Sequence, residues 1–532
     1  MKRIPNTFGR MKNSAKDRNW KRKGEQTMKK SWIAAALSLT MVMPALAACT
    51  KGDAEDKNTE RVLRIAATTD NGEEGEYFRQ QFTEIFEYAH PNIKLEFVEV
   101  VDSSAMRYGG YITPEQQKEQ QPNPVVKLKE VMQADNPPDI VMFNLNEMQD
   151  LLTDNLLQPL DPLITKDKFD TADIAPIVLD GLKSVSPDGK LYALSPTFSS
   201  AALVYNKKIF DEAGAPYPED NMTWDQVFDL ARRVTNKDSA KRVYGFSFNS
   251  QGYMDYMNMM TIYASPMGLS IFDKEVEKLT VDSDNWEKVW NTLIQLEKDK
   301  VIPSQNDYQD EVFMRSKQSS AENPFGYDDF LSNRLAMSVM NYYDLSRIDN
   351  ANKNAAKYNN FTPIEYNAVT LPSHPEHPGV VGSVSLNGIM GINAKAGNPQ
   401  DAWSFLKFIN GEDYARAKAK NNYQLLSRKS YIKSREGSDL NINAFINVKP
   451  ALETMNDMYS LYRKYPNIYA VYSVAQMEYN NALQGNKSIR DALKSWQTRG
   501  DSMLQQMRDN PNGPLDMGDG STMGGSAVMR AY

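Results

Sequence analysis

The chain has 532 residues, 41% of them apolar, several times the length one core requires, so two or three domains are expected and a small disulfide-stapled fold is excluded. Its net charge of −7 is unevenly spread: residues 1–48 carry 11 basic and 2 acidic side chains, leaving 50 basic against 66 acidic, or −16, for the rest, an acidic body unsuited to phosphate backbones. Only one stretch is long and apolar, which argues against a polytopic membrane protein, and one cysteine with three histidines allows no internal disulfide and leaves little for a His-rich metal site.

That apolar stretch, Trp32 to Ala48, follows Lys29-Lys30 and ends at Leu46-Ala47-Ala48-Cys49. A charged start, an apolar run of this length and small closing residues predict a signal peptide, and Pro44 argues against a retained spanning helix. Leu-Ala-Ala-Cys resembles the bacterial lipobox, whose cysteine thiol receives a diacylglycerol and becomes the new N-terminus. Two acyl chains, at about 0.8 kcal/mol per buried CH2, hold a protein stably on a bilayer. Residues 1–27 have no role in such a leader, and Lys23-Gly24-Glu25 is encodable by a purine-rich run like a ribosome-binding site, so translation is expected to start at Met28. Mass analysis of the native precursor would overturn that by finding residues 1–27. Thr50 to Glu60 is polar and charged, as a tether would be.

Val62 to Ala67 is strand-like, and Tyr77 to Ala89 places Phe78, Phe82, Ile85, Phe86 and Ala89 at helical spacing. His90-Pro91 ends that helix, and Ile93 to Val100 alternates as a second strand. Residues 102–124, rich in Gln and Pro, read as an inserted excursion. A helix from Val125 to Gln133 then runs through Pro137-Pro138 into the strand Asp139 to Phe143. Strand, helix, strand, helix, strand is the α/β pattern with right-handed crossovers. Downstream, Ala201 to Tyr205 is a short strand, Lys207 to Glu212 a helix stopped at Gly214-Ala215-Pro216, and Thr223-Trp224-Asp225-Gln226 a capping box. The Met254, Met257, Met259 and Met260 cluster reads as helix packing. Asn398-Pro399 opens a helix over Gln400 to Ile409, closed by Gly411. From Pro511 the composition predicts a disordered tail.

No Walker loop, G-x-S-x-G elbow, HExxH or G-x-G-x-x-G after a strand occurs. His374 and His377 lie in a Pro-rich turn read as a solvated loop, and Asn306 to Glu311 as a solvated acidic run lacking the glycine of an EF-hand. A glycosidase-type carboxylate pair meets in space rather than in sequence, so it stays open as an alternative. What stands out is aromatic and amide residues at strand ends: Phe143-Asn144-Leu145-Asn146, Gln251-Gly252-Tyr253 and Asn341-Tyr342-Tyr343-Asp344. Ligands of open α/β sheets bind beyond the carboxyl ends of strands, and aromatic faces beside amides suit a sugar.

The ordered set Pro138-Asp139-Ile140-Val141, Leu156 to Leu160, Asp188 to Leu194, Leu203 to Lys207, Thr223-Trp224-Asp225, Ala336 to Asn341, Gly391 to Ala394 and Tyr465 to Ile468 resembles extracellular solute-binding proteins of bacterial ABC importers. The resemblance is to the maltose-binding-protein-like group, and it spans most of residues 62–496. It implies an α/β, two-lobe periplasmic-binding-protein-like fold of type II with the ligand cleft between lobes. The expected organisation is a leader over 1–48, a lipidated tether over 49–60, lobe one over 61–200 and 367–410, lobe two over 201–366 and 411–510, and a tail over 511–532. Carried over position by position, it implies ligand contacts from Asp70, Phe143, Asn144, Asn146, Ser199, Gln251, Tyr253, Tyr343 and Tyr472. Ser199 stands where the maltose binder has an acidic side chain, and Tyr343 and Tyr472 where it has tryptophans, which departs from maltose while keeping stacking faces.

The expected function is a monomeric, lipid-anchored substrate-binding protein on the outer face of the cell membrane, lipidated at Cys49. It is expected to deliver a mono- or oligosaccharide to ABC permease subunits, with no cofactor, metal, nucleic acid or catalysis. The alternative is a surface polysaccharide hydrolase or lyase with paired carboxylates, which would turn its ligand over.

Overall fold

A computed structural model describes residues 59–67, 76–100, 124–249, 256–304, 307, 310–419, 424–432, 439–451, 461, 465–511, 513–518 and 520–523. The leader, Cys49, Asp70, the excursion 102–123, Gln251, Tyr253 and Met254 lie outside the described residues. Everything described belongs to one compact unit, Asn58–Tyr532. Among the described residues no helix is long and apolar enough to cross a membrane.

In chain order the strands are β1 Arg61–Ala67, β2 Ile93–Val98, β3 Ile140–Phe143, β4 Ala193–Leu194, β5 Thr197–Asn206, β6 Tyr244–Ser247, β7 Leu335–Asn341, β8 Tyr366–Val369, β9 Val380–Val381, β10 Val384–Asn387, β11 Ile389–Ile392, β12 Leu425–Leu426, β13 Lys449–Pro450, β14 Leu515–Asp516 and β15 Thr522–Met523. One five-stranded sheet runs β2-β1-β3-β11-β4, with β1, β2 and β3 parallel and β11 antiparallel to its neighbours. A six-stranded sheet runs β10-β5-β7-β6, with β8 and β12 also on β5. β3 and β7 are nearly continuous apolar runs, as strands buried on both faces are, with only the terminal Asn341 exposed. This is the α/β fold that the alternation of elements predicts, in the two-lobe form that the family resemblance implies.

The capping chemistry read from sequence is in place. Thr223 accepts from the Gln226 backbone while the Gln226 side chain accepts from Thr223 N–H, opening the helix Trp224–Val234. Gly214 ends Lys207–Ala213 in the left-handed region at φ 61°. Residues 76–89 form one helix whose middle turn, Arg79–Thr83, is a π-turn. The helix Pro399–Ile409 starts on Asn398 as expected but ends at Asn410, and Gly411 instead precedes the next helix, Glu412–Lys418.

Aromatic clusters fill the cores. Phe86 meets Phe405 and Phe408 edge-on beneath the first sheet. Trp224 packs on Phe228, Phe246, Phe248 and Tyr263 beside the second. Trp290 stacks on Trp496 at 5.8 Å between the helices Asp284–Lys298 and Ile489–Asp509. Met259 and Met260 are buried helix residues, as the pattern predicts.

Three expectations fail against the coordinates. His374 is not in a solvated loop: it is buried, with Nε2 2.7 Å from the Tyr263 carbonyl and its ring against Tyr263 and Trp224, while His377 is exposed. Asp307, in the acidic run, is 2% exposed because Arg242 and Lys300 neutralise it and Ser304 N–H donates to it; Asp310 caps the helix Glu311–Ser316 and pairs with Arg242. The segment after Pro511 is packed through Met517: Leu515 and Met517 are buried, and β14 pairs with β15 in a hairpin.

Candidate functional site

The register of the two sheets brings their carboxyl edges together. β1 and β3 run parallel, so the segment after Ala67 and the turn after Phe143 leave the first sheet at one edge. β6 and β7 run parallel in the second sheet, so Ser247 and Asn341 mark its corresponding edge. β5 is antiparallel to β7 with Ala201 opposite Asn341, which places Thr197–Ser200 beyond the end of β7. There it pairs with β10, Ser385 opposite Ser199 and Asn387 opposite Thr197. β10 passes through Gly388 into β11, whose first residue, Ile389, lies opposite Phe143 at the end of β3. The β5–β10 ribbon therefore lies beyond the carboxyl edges of both sheets, where open α/β sheets take their ligands.

The chain changes sheets within this ribbon, at Ser195-Pro196 and at Gly388. Ser195 Oγ lies 2.8 and 2.9 Å from the carbonyls of Thr197 and Asn387, which share its one O–H. Ser427 N–H donates to the Pro196 carbonyl at 2.9 Å, and Thr197 Oγ1 donates to Gln424 Oε1 at 2.9 Å. β8 still pairs with β5 at Asn367, so residues 366–369 belong to the second sheet.

The expected contact residues fare unequally. Ser199 is half-buried on the ribbon and its Oγ accepts from Asn387 Nδ2 at 3.0 Å. Tyr343, just past β7, is 50% exposed and presents part of its ring to solvent. Asn146 is exposed in the first turn of the helix Leu145–Thr153. Asn144 is exposed but caps that helix, its Oδ1 accepting from Glu147 N–H at 2.9 Å while its own N–H donates to Glu147 Oε2 at 2.9 Å. Phe143 is 4% exposed, its ring turned into the first core near Gly391. Tyr472 is also buried, 6.1 Å edge-on from Phe272, and burial pushes its phenol well up; Tyr469, one turn earlier on the same helix, is exposed. The exposed Asn341 and the ribbon residues Ser385 and Asn387 join the same edge. Strand parity opposite Ser199 is the signal that finds the last two, and it needs the pairing partner, 186 positions away in sequence, to be known.

Among the described residues no group of three or more His, Cys, Asp or Glu side chains is placed to hold a metal ion. The ribbon itself, Thr-Phe-Ser-Ser against Val-Ser-Leu-Asn, carries hydroxyls and an amide but no charge.

Residues 101–441 match a family model described as bacterial extracellular solute-binding protein. A mannitol-binding protein of Pseudomonas aeruginosa is 26% identical over 197 residues, 37% of this chain; the match spans about two fifths of that relative, 39% of its length. Among solved structures, a sugar transporter protein from Rhizobium etli in an open conformation is 19% identical, with 83% of this chain and 98% of that one covered at a TM-score of 0.55. A family 1 extracellular solute-binding protein from Alicyclobacillus acidocaldarius is 16% identical, with 85% and 100% covered at 0.55. The sugar-binding protein MalE of Xanthomonas citri is 15% identical, with 84% and 98% covered at 0.51. These likenesses in structure are likenesses of fold.

Proposed function

The chain belongs to the bacterial extracellular solute-binding protein family, whose members bind and do not catalyse, and from that premise we propose that it captures a sugar or sugar alcohol outside the cell and delivers it to an ABC permease. The observation that carries this reading is the uncharged hydroxyl and amide ribbon at the meeting of two sheet edges, with the exposed Tyr343 ring beside it. Hydroxyl and amide groups pair with the alternating donors and acceptors of a polyol, and an aromatic face packs on its C–H side. The mannitol-binding relative and the sugar-binding structures support the same class. A paired-carboxylate hydrolase has no support in this family.

We divide the lobes at the ribbon, with the first sheet's strands in one and β5 to β8 in the other. Asp70, Gln251 and Tyr253 remain proposed contacts from the segments that follow β1 and β6. The protein is proposed to be held on the extracellular face of the cell membrane through diacylglycerol on Cys49. Thermal-shift screening against a panel containing D-mannitol and maltose tests the ligand class: a ligand at about 100 times its Kd adds about 2.7 kcal/mol, and no stabilisation by any sugar or polyol overturns it. Cys49→Ser, followed by cell fractionation, tests the anchor. A variant as membrane-bound as wild type overturns it.

A further inference from the structure

We propose that Ser385 and Asn387 on β10, together with Ser199 on β5, form the floor of the ligand cleft and select a neutral polyhydroxy ligand over a charged one. The inference rests on the sugar-binding reading above and names the residues that would give that site its selectivity. Ser199 and Ser385 are directly opposed in the antiparallel register, and Asn387, two residues on, points to the same face. That face is open at its Ser385 end: Ser385 is exposed and Ser199 and Asn387 are half-buried, while Thr197, opposite Asn387, is buried with its hydroxyl on Gln424. The other face is closed by Phe198, fully buried, and by Leu386, which packs on Gly181 of the helix Pro176–Ser184. The polar face therefore looks away from that helix, at the edge where β1, β3, β6 and β7 all end.

The three polar groups are pre-arranged. Asn387 Nδ2 donates to Ser199 Oγ at 3.0 Å, and Ser385 Oγ lies 3.5 Å from Asn387 Oδ1. Accepting from Asn387 leaves the Ser199 O–H to donate outward, and the second N–H of the Asn387 amide remains for an incoming oxygen. The ribbon is fixed at both ends. At Gly388, with φ 67°, a Cβ would meet the Phe82 ring at 2.6 Å, and at Gly382 a Cβ would meet the Thr261 carbonyl at 2.1 Å. Phe82 and Thr261 sit in the two π-turns, Arg79–Thr83 and Met260–Ala264, of the helices that follow β1 and β6. The floor is thus wedged between one helix of each lobe, which holds its backbone in place before ligand arrives.

A floor of hydroxyls and one amide satisfies a ligand hydroxyl as donor and acceptor, and it offers a carboxylate no counter-charge for its desolvation. Built polar pairs of this kind reject ligands that leave them unpaired.

The test measures binding by calorimetry and thermal shift for the full chain and for Ser385→Ala and Asn387→Ala, with D-mannitol and maltose as neutral probes and D-gluconate and D-galacturonate as anionic ones. The expected result is that a neutral probe binds wild type, the anionic probes do not, and each variant with an unchanged melting temperature binds about tenfold more weakly. If Asn387→Ala fails to fold, Ser385→Ala alone decides. A neutral probe that binds the variants as tightly as wild type overturns the floor while leaving the sugar-binding reading in place. Binding of an anionic probe alone overturns the selectivity. If neither neutral probe binds wild type, the neutral sugar that stabilises it most in the thermal-shift panel takes their place, and if the panel holds none the sugar-binding reading fails and this inference with it.

Discussion

The Tyr479 hydroxyl donates a 2.6 Å hydrogen bond to Glu297 Oε1 inside the interface between the helices Asp284–Lys298 and Tyr469–Leu483, with both side chains buried. Burial pushes the Glu297 carboxyl up to about 7, against the lowering from Tyr479 and Ser304, with Asp307 raising it and Lys300 lowering it. The folded pKa is raised, so the protonated form belongs to the fold. Its contribution is fully present below the unfolded value near 4.5 and is lost as pH climbs through about 7. Glu297→Gln keeps an acceptor for Tyr479 and removes the titration. The variant is expected to gain on wild type by about 3 kcal/mol in total between pH 4 and pH 8. Parallel urea-unfolding curves for the two proteins across that range would refute this.

Asp307 and Arg242 form a second buried pair, 3.0 Å apart and each about 5% exposed or less. Asp307→Ala leaves the Arg242 guanidinium without its main counter-charge, so a loss of about 3 to 5 kcal/mol is expected. Arg242→Met combined with Asp307→Ala should cost less than the two single changes added, since each single change strands the other's charge. Additive losses in chemical denaturation would show that the pair is not the source.

How far the sequence carries depends on how far away a residue's partners lie. Caps are local: Thr223 with Gln226 and Asn398 with Asp401 are legible three residues apart. Asp307 reads as solvated because its partner Arg242 lies 65 residues earlier, and His374 because Tyr263 lies 111 residues earlier. Phe143 sits at the expected strand end and Tyr472 at the position the resemblance implies, but each sits in an element covered on more than one side, where alternation carries no sign of facing. Ser385 and Asn387 acquire meaning only through the register with β5.

Tyr343 and Tyr472 are expected to separate cleanly on substitution. Tyr343, half exposed beyond β7, should lose about 1 to 3 kcal/mol of ligand affinity on change to Ala, with stability held within about 0.5 kcal/mol. Tyr472, buried against Phe272, should instead lose about 3 kcal/mol of folding stability. Titration calorimetry beside thermal melts measures both, and equal effects on affinity with no melting shift would place Tyr472 in the site after all.

The C-terminal hairpin should act as a strap. Asn467, in the turn that opens the Tyr472 helix, donates to the Gly513 carbonyl at 3.1 Å, and Arg499 Nε donates to Met517 O at 2.6 Å while its Nη1 pairs with Glu478 at 3.1 Å. Leu515 is 1% exposed. Ending the chain at Asn510 uncovers this surface and strands Asn467, so about 2 to 4 kcal/mol of stability should go. A truncated protein melting with the full chain would remove the hairpin from the fold's support.

Ligand is expected to close the cleft, because the groups available to it come from both sides of the ribbon: Asn146 beside the first sheet, Tyr343 and Asn341 beside the second. They are jointly satisfied only when the two edges approach. The chain passes between sheets at Ser195-Pro196 and at Gly388, and the Ser195 hydroxyl bonded to the Asn387 carbonyl ties the two passages together. Paired passages of this kind resist twisting and permit bending, the hinge mode of domain closure. A ligand shifts such an equilibrium only by its differential affinity for the two states: moving from 1:99 to 99:1 takes about 5.5 kcal/mol, and a ligand touching one side alone supplies little of it. Small-angle scattering at saturation with a sugar that binds should therefore give a smaller radius of gyration for wild type, and a reduced contraction for Tyr343→Ala. An identical radius with and without ligand would mean that binding is completed by one lobe, and the cleft would then be rigid.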